Sequence, residues 1–164
     1  MNLSSLVRDN VGELLVKIVD FTETRQKILM ENMLNIHRSD FVPKDLAVLE
    51  FCQSLNHAIV EHIQNQRLVL RDTDNVKFGA NASLEAKPVV DQHANQLLEE
   101  NREGYLKLQL TKLLENLLNR KIAEELLRQK QQQIVTAKER ATPQGKHRQK
   151  KTRVFPMCSD EVQH

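Results

Sequence analysis

His57, Glu61 and His62 come closer than any other residues of this chain to a set of side chains that could do chemistry. Two imidazoles on one helix face can hold a zinc ion, with a carboxylate beside them acting as base, and that geometry needs histidines four residues apart. Here the step is five, which leaves the two rings roughly 140° apart around a helix. The site does not close. His57 and Glu61, at i and i+4, are expected to form only a surface pair worth a few tenths of a kcal/mol. No nucleophile elbow, Walker loop or dinucleotide fingerprint occurs, and Gly12, Gly79, Gly104 and Gly145 are too scattered to cradle a phosphate. No Cys/His set has zinc-finger spacing. Cys52 falls in an amphipathic segment and is expected to be a small buried hydrophobe. Cys158 lies in a C-terminal tail, and no stable disulfide between the two is expected. The chain therefore reads as a non-enzyme, with no catalytic, metal or cofactor site.

If the residues do not react, they must hold something together. Aromatic residues make up 4 % of the chain, with no Trp, and charged residues 28 %. That is the composition of long helices, poor in the residues that strands favour. The expected fold is all-α and elongated, with a thin apolar seam instead of a broad core. The N-terminus lacks a basic stretch followed by a short apolar run, so no cleavable signal peptide is expected. No apolar run reaches the roughly 18 residues of a membrane span.

Residues 4–36 carry the first apolar stripe, through Leu14, Leu15, Ile18 and Val19 to Leu29 and Met33, with Ser4 or Ser5 as a candidate cap. A polar break follows at 35–43. Helical spacing resumes over 44–70 with Leu46, Leu49, Cys52, Leu55, Ile59 and Ile63. Asp40 or Ser39 could cap that helix, and Pro43 suits either its first turn or an extended approach to it. The stretch 71–88 has no sustained period and reads as a flexible loop. Residues 89–137 give the strongest helical pattern, and roughly 45 helical residues extend about 65–70 Å. Apolar residues three and four apart on so long a rod suggest a coiled-coil seam, with Gly104 its one weak point. The organisation expected is thus an N-terminal segment 1–70, a loop 71–88, a long helix 89–137 and a basic disordered tail 138–164.

Charge separates the tail from the body. Residues 138–153 hold seven Lys/Arg against one Glu, whereas residues 1–137 together carry −2. A basic tail can touch nucleic acid or an anionic surface. This one has no interleaved aromatics apart from Phe155 and no folded basic surface beside it. It is read as a solvated extension, and nucleic acid is not taken as a partner.

The make-up of the break carries a resemblance. In flagellar basal-body rod proteins an amphipathic first helix leads into Asn, Ile or Leu, Ala, Asn, two variable residues, Thr-Pro-Gly and an aromatic. The run Asn32-Met33-Leu34-Asn35-Ile36-His37-Arg38-Ser39-Asp40-Phe41 resembles it in the spacing of Asn32 and Asn35 and in the place of Phe41. It departs at Leu34 and at Arg38-Ser39-Asp40, which stand where the family has Ala and Thr-Pro-Gly. Lys44-Asp45-Leu46, which closes the motif at 32–46, and Arg25-Gln26-Lys27-Ile28-Leu29 are similar to flanking runs of the proximal rod protein (FlgB) family. So are Val90-Asp91, Glu100-Asn101-Arg102-Glu103-Gly104-Tyr105 and Leu117-Leu118-Asn119-Arg120-Lys121-Ile122 in the C-terminal half. The basic tail has no counterpart in the family.

The resemblance implies a structural part of the bacterial flagellar basal body. Its terminal helices would pack with other rod proteins and with copies of itself, after export by the flagellar secretion apparatus. The residues expected to carry assembly are Asn32, Asn35 and Phe41 at the break. Leu14, Ile18, Leu29 and Met33 would form one seam, and Leu110, Leu114, Leu117 and Ile122 the other. A cytoplasmic coiled-coil adaptor or secretion chaperone is the second reading of the same pattern.

Overall fold

The polar break does end a helix, and it does so with its own side chains. The computed structural model describes residues 10–79 and 83–141. Helix α1 spans Asn10–Leu34. Thr22 and Thr24 sit mid-helix because their hydroxyls donate to carbonyls of the preceding turn, Ile18 O at 2.8 Å and Asp20 O at 3.0 Å. At the end of α1, Asn35 donates from both its backbone and its side chain to Glu31 O, at 3.0 and 2.8 Å. Two tight turns follow, Arg38 N to Asn35 O and Phe41 N to Arg38 O. The candidate caps Ser4 and Ser5 lie outside the described residues.

The chain then runs extended. Strand β1, Lys44–Leu46, precedes helix α2, Val48–Asn65. Expecting a helix from 44 was therefore four residues early. Pro43 and Asp45 belong to the extended approach, and Ala47 takes the N-cap position with no side-chain cap. Neither Asp40 nor Ser39 caps α2. The helix closes at Gln66, in left-handed conformation, whose N–H donates to His62 O.

The stretch 71–88, expected as a flexible loop, carries two strands and the first residue of a third, whose Val89 and Val90 were expected to begin the long helix. These are β2, Val76–Phe78; β3, Leu84–Ala86; and β4, Pro88–Val90. Strand β2 pairs antiparallel with β3, with Lys77 opposite Glu85, and β1 pairs antiparallel with β4, with Asp45 opposite Val89. Three residues per strand give no periodicity to read. Two side chains secure the entrance to β2: the Glu50 carboxylate accepts from Asn75 N and Nδ2, and Asp72 Oδ1 accepts from Phe78 N. The fold is mostly helical with a small antiparallel sheet component.

The long C-terminal rod is two helices. Helix α3, Gln92–Glu100, is capped by Asp91, whose carboxylate accepts from Ala94 N. Helix α4 runs from Arg102 to Ala141 and is about 60 Å long. The kink falls at Asn101, three residues before the glycine expected to weaken the rod. Asn101 Oδ1 accepts from Gly104 N at 2.9 Å, capping α4. A Cβ on Gly104 would stand 2.9 Å from Asn101 Nδ2, so the glycine makes room for this cap.

Two small cores flank α1. Near its middle Phe21, Leu46, Phe51 and Val76 cluster, with the Phe21 and Phe51 rings stacked at 3.9 Å. Beyond its C-terminal end Ile36, Ala94 and Tyr105 pack with Leu97, Leu98 and Leu108. Tyr105 meets Asn32, and Asn116 meets Thr22, so α4 lies antiparallel to α1. Helix α2 is also antiparallel to α1, since Phe51 stacks on Phe21 while His62 lies 3.2 Å from Asn10.

Candidate functional site

The inner face of α4 is polar. Tyr105, Gln109, Lys112, Asn116 and Arg120 follow at steps of four, three, four and four, and each reaches α1 or the strands beside it. Tyr105 Oη donates to Asn32 O at 2.9 Å. Gln109 Oε1 accepts from Asn32 Nδ2 at 3.0 Å, leaving Gln109 Nε2 buried without a partner. Asn116 Nδ2 donates to Thr22 O at 2.7 Å, and Arg120 Nη1 to Gln26 Oε1 at 3.2 Å. Asn32 does more than meet α4. Its amide donates to Lys44 O at 2.7 Å and accepts from Lys44 N at 3.2 Å, as a neighbouring strand would.

At the centre of this face lies a four-charge knot. Arg25 grips Asp45 bidentately, at 2.8 and 2.9 Å. Lys112 Nζ donates to Asp45 Oδ2 at 3.0 Å and also to Asp91. Two cations meet two carboxylates, so the buried group is neutral as a whole. Burial alone would push the Asp45 carboxyl up. The Arg25 guanidinium and the Lys112 ammonium outweigh that and hold it below the ordinary carboxylate range. Burial, helped by the Asp91 charge, pushes the Tyr105 phenol up to about 12. Such a knot fixes the position of β1, β4, α1 and α4 relative to one another.

The outer face is apolar and bare. Leu114 is 67 % exposed and Leu118 61 %, and Leu110, Leu117 and Ile122 are exposed with them. Helix α2 has a matching face in Leu49, Ile59, Val60 and Ile63, with Leu49 71 % exposed. Between these helices an apolar groove of about 290 Å³ runs over α1. Its floor includes Leu15, Ile18 and Phe21, and its walls include Leu55 on α2 and Leu126 on α4. Exposed apolar patches mark contacts with proteins or membranes, or grooves for ligands. This surface is the candidate functional site.

The expected assembly residues divide between the two regions. Asn32 is buried at the knot, and Asn35 finishes α1. Phe41 is half-buried in a shallow depression beside Ile28, Pro88 and Val90. Leu14 and Leu29 are buried within the chain, and Ile18 and Met33 are half-buried. That first seam is largely covered by the protein itself. Leu110, Leu114, Leu117 and Ile122 are all exposed. Cys52, expected buried, is exposed on the groove wall as a free thiol, because α2 turns Phe51 inward instead. Cys158 lies outside the described residues, as does the basic tail after Ala141. Glu61 accepts from Asn65, not from His57. Among the described residues no group of three or more His, Cys, Asp or Glu side chains is placed to hold a metal ion, and no helix is long and apolar enough to cross a membrane.

Three residues of the knot stand in runs singled out for their resemblance to rod proteins: Arg25, Asp45 and Asp91. Their spacing gave no sign that they would meet. Gln109, Lys112 and Asn116 were hidden among leucines, though a seven-residue recurrence of polar residues was there to be read. Comparison with protein-family models, curated proteins and solved structures finds no match to the chain.

Proposed function

We propose that this protein is a structural component of the bacterial flagellar basal-body rod, assembling through its terminal helices after export by the flagellar secretion apparatus. One observation carries the reading. The runs that resemble rod proteins come from opposite ends of the chain, around Arg25, Asn32 and Asp45 and around Asp91, Asn101 and Tyr105. Arg25, Asp45 and Asp91 meet at one knot with Lys112, and Tyr105 bonds Asn32 beside it, so the two sets of runs join α1 to α4. A rod subunit needs that join, because its two ends must present one surface to the next subunit. The bare leucines of α4 and the apolar face of α2 supply the surface, and they pack against neighbouring chains in the rod.

Fractionation of the host cell tests this. The chain is expected in purified basal bodies, and deleting its gene is expected to abolish motility. A chain that stays in the cytosolic fraction of wild-type cells, together with a deletion strain whose motility is intact, overturns it. The second reading, a cytoplasmic helical adaptor or secretion chaperone, draws on a different observation: Leu14 and Leu29 are already buried within a single chain. In that case the chain co-purifies with a partner from the cytosolic fraction and is absent from basal bodies.

A further inference from the structure

Leu110, Leu114, Leu118 and Ile122 follow one another along α4 in steps of four, and all are exposed. Four residues turn an α-helix through about 400°, so the row is an oblique ridge, not a straight seam. Its midpoint is residue 116. The Asn116 side chain points to α1, and Leu114 and Leu118 lie about 20° on either side of the direction opposite to it. The row reads alike from both ends. Lys107 and Glu125, equally far from the midpoint, fall on the same outward line and carry opposite charges.

The geometry points to a second copy of this chain as the partner of the α4 face, the two helices crossing antiparallel about a two-fold axis at Leu114 and Leu118. It deepens the assembly reading above, and rests on it only in taking this face as one that becomes covered. A two-fold contact requires a patch complementary to itself, and this ridge has that property. Ridges of step four interdigitate when the axes cross at about 50°, which sets Leu114 beside Leu118 and Leu110 beside Ile122 of the second copy. The charges select the orientation. An antiparallel crossing turns Lys107 of each copy toward Glu125 of the other, whereas a parallel one sets like on like. Glu125 keeps its bonds from Arg128 and Gln129 on its own helix, and Lys121 comes to lie near the uncharged Thr111 of the second copy.

Sedimentation equilibrium of the full chain tests the arrangement. At about 100 μM a contact with a micromolar Kd is populated, and the chain is expected to be dimeric. The double variant L114E/L118E should weaken the dimer at least about 30-fold, with the helical circular dichroism unchanged because both positions are exposed. K107E should weaken it about fivefold, and K107E/E125K should restore it. A chain that stays monomeric at 100 μM, a dimer indifferent to L114E/L118E, or a charge swap that restores nothing overturns the two-fold contact. Failure here is separable from failure of the rod reading. A monomer that still enters basal bodies removes only this dimer, and a dimer absent from basal bodies removes only the rod.

Discussion

Helices α1 and α4 meet along one line but place their apolar residues in opposite ways. Helix α1 turns Leu14, Leu15, Phe21 and Leu29 into the protein. Helix α4 turns Tyr105, Gln109, Lys112, Asn116 and Arg120 toward α1 and leaves most of its leucines outside. The internal pairing is thus made by directional polar contacts. The non-directional attraction of the leucines remains available for another surface. Polar residues at seam positions fix register at some cost in stability, whereas apolar ones give strength with little choice of partner.

The sharpest way to break this contrast is to remove one charge from the knot. Asp45→Ala strands Arg25 in a buried site and is expected to cost about 3–5 kcal/mol in urea unfolding. The pH dependence follows the same carboxyl. Its folded pKa lies below the unfolded value of about 3.9, so its contribution is present above pH 4 and fades as pH falls through the lower folded value. Acid titration of the unfolding midpoint checks this, and Asp45→Asn should flatten that part of the curve. Asn32→Ala should cost about 2–3 kcal/mol, since Lys44 N–H and Lys44 C=O lose their partner. Thermal denaturation of dilute protein measures that loss.

Tyr105→Phe is milder, at about 1 kcal/mol for one hydrogen bond. Here the sign with pH reverses. A phenol pushed up to about 12 stays protonated in the folded chain while the unfolded one ionises near pH 10, so stability is lost between about pH 10 and pH 12. The Tyr105→Phe variant should lack that component of the alkaline decline. Smallest of all, Leu114→Gln should change monomer stability by less than about 0.5 kcal/mol in dilute urea titrations, because the side chain is 67 % exposed. A loss of 2 kcal/mol at Leu114 would mean that the outer face is internally packed, and the contrast between the two regions would fall.

The helices were legible in the sequence because three-to-four spacing persists for many turns, as it does from Leu14 to Met33. The stop at Asn35 was legible from side chains that satisfy the last carbonyls themselves. Strands β1 to β4 were not, since three residues are too few to alternate. Nor was the inside of α4 legible. Its leucines outnumber its amides, and apolar weight alone points the leucines inward. What sets the inner face is pairing at a distance: Lys112 finds Asp45 and Asp91, and Asn116 finds Thr22, far away in sequence. The candidate site was half legible. Leu110, Leu114, Leu117 and Ile122 were named as one seam, but the first seam turned out to be mostly enclosed, and Leu49, Ile59 and Ile63 of α2 were read only as the apolar spacing of a helix.

The row of polar pins from Tyr105 to Arg120 also has a mechanical consequence. A pull along the helix axes loads all of these contacts together in shear, and sliding α4 by a single turn would break every one of them at once. A pull across the pair loads them one at a time, starting from an end. The joint should therefore stand high axial force and yield readily to peeling, much as a strip of fasteners does.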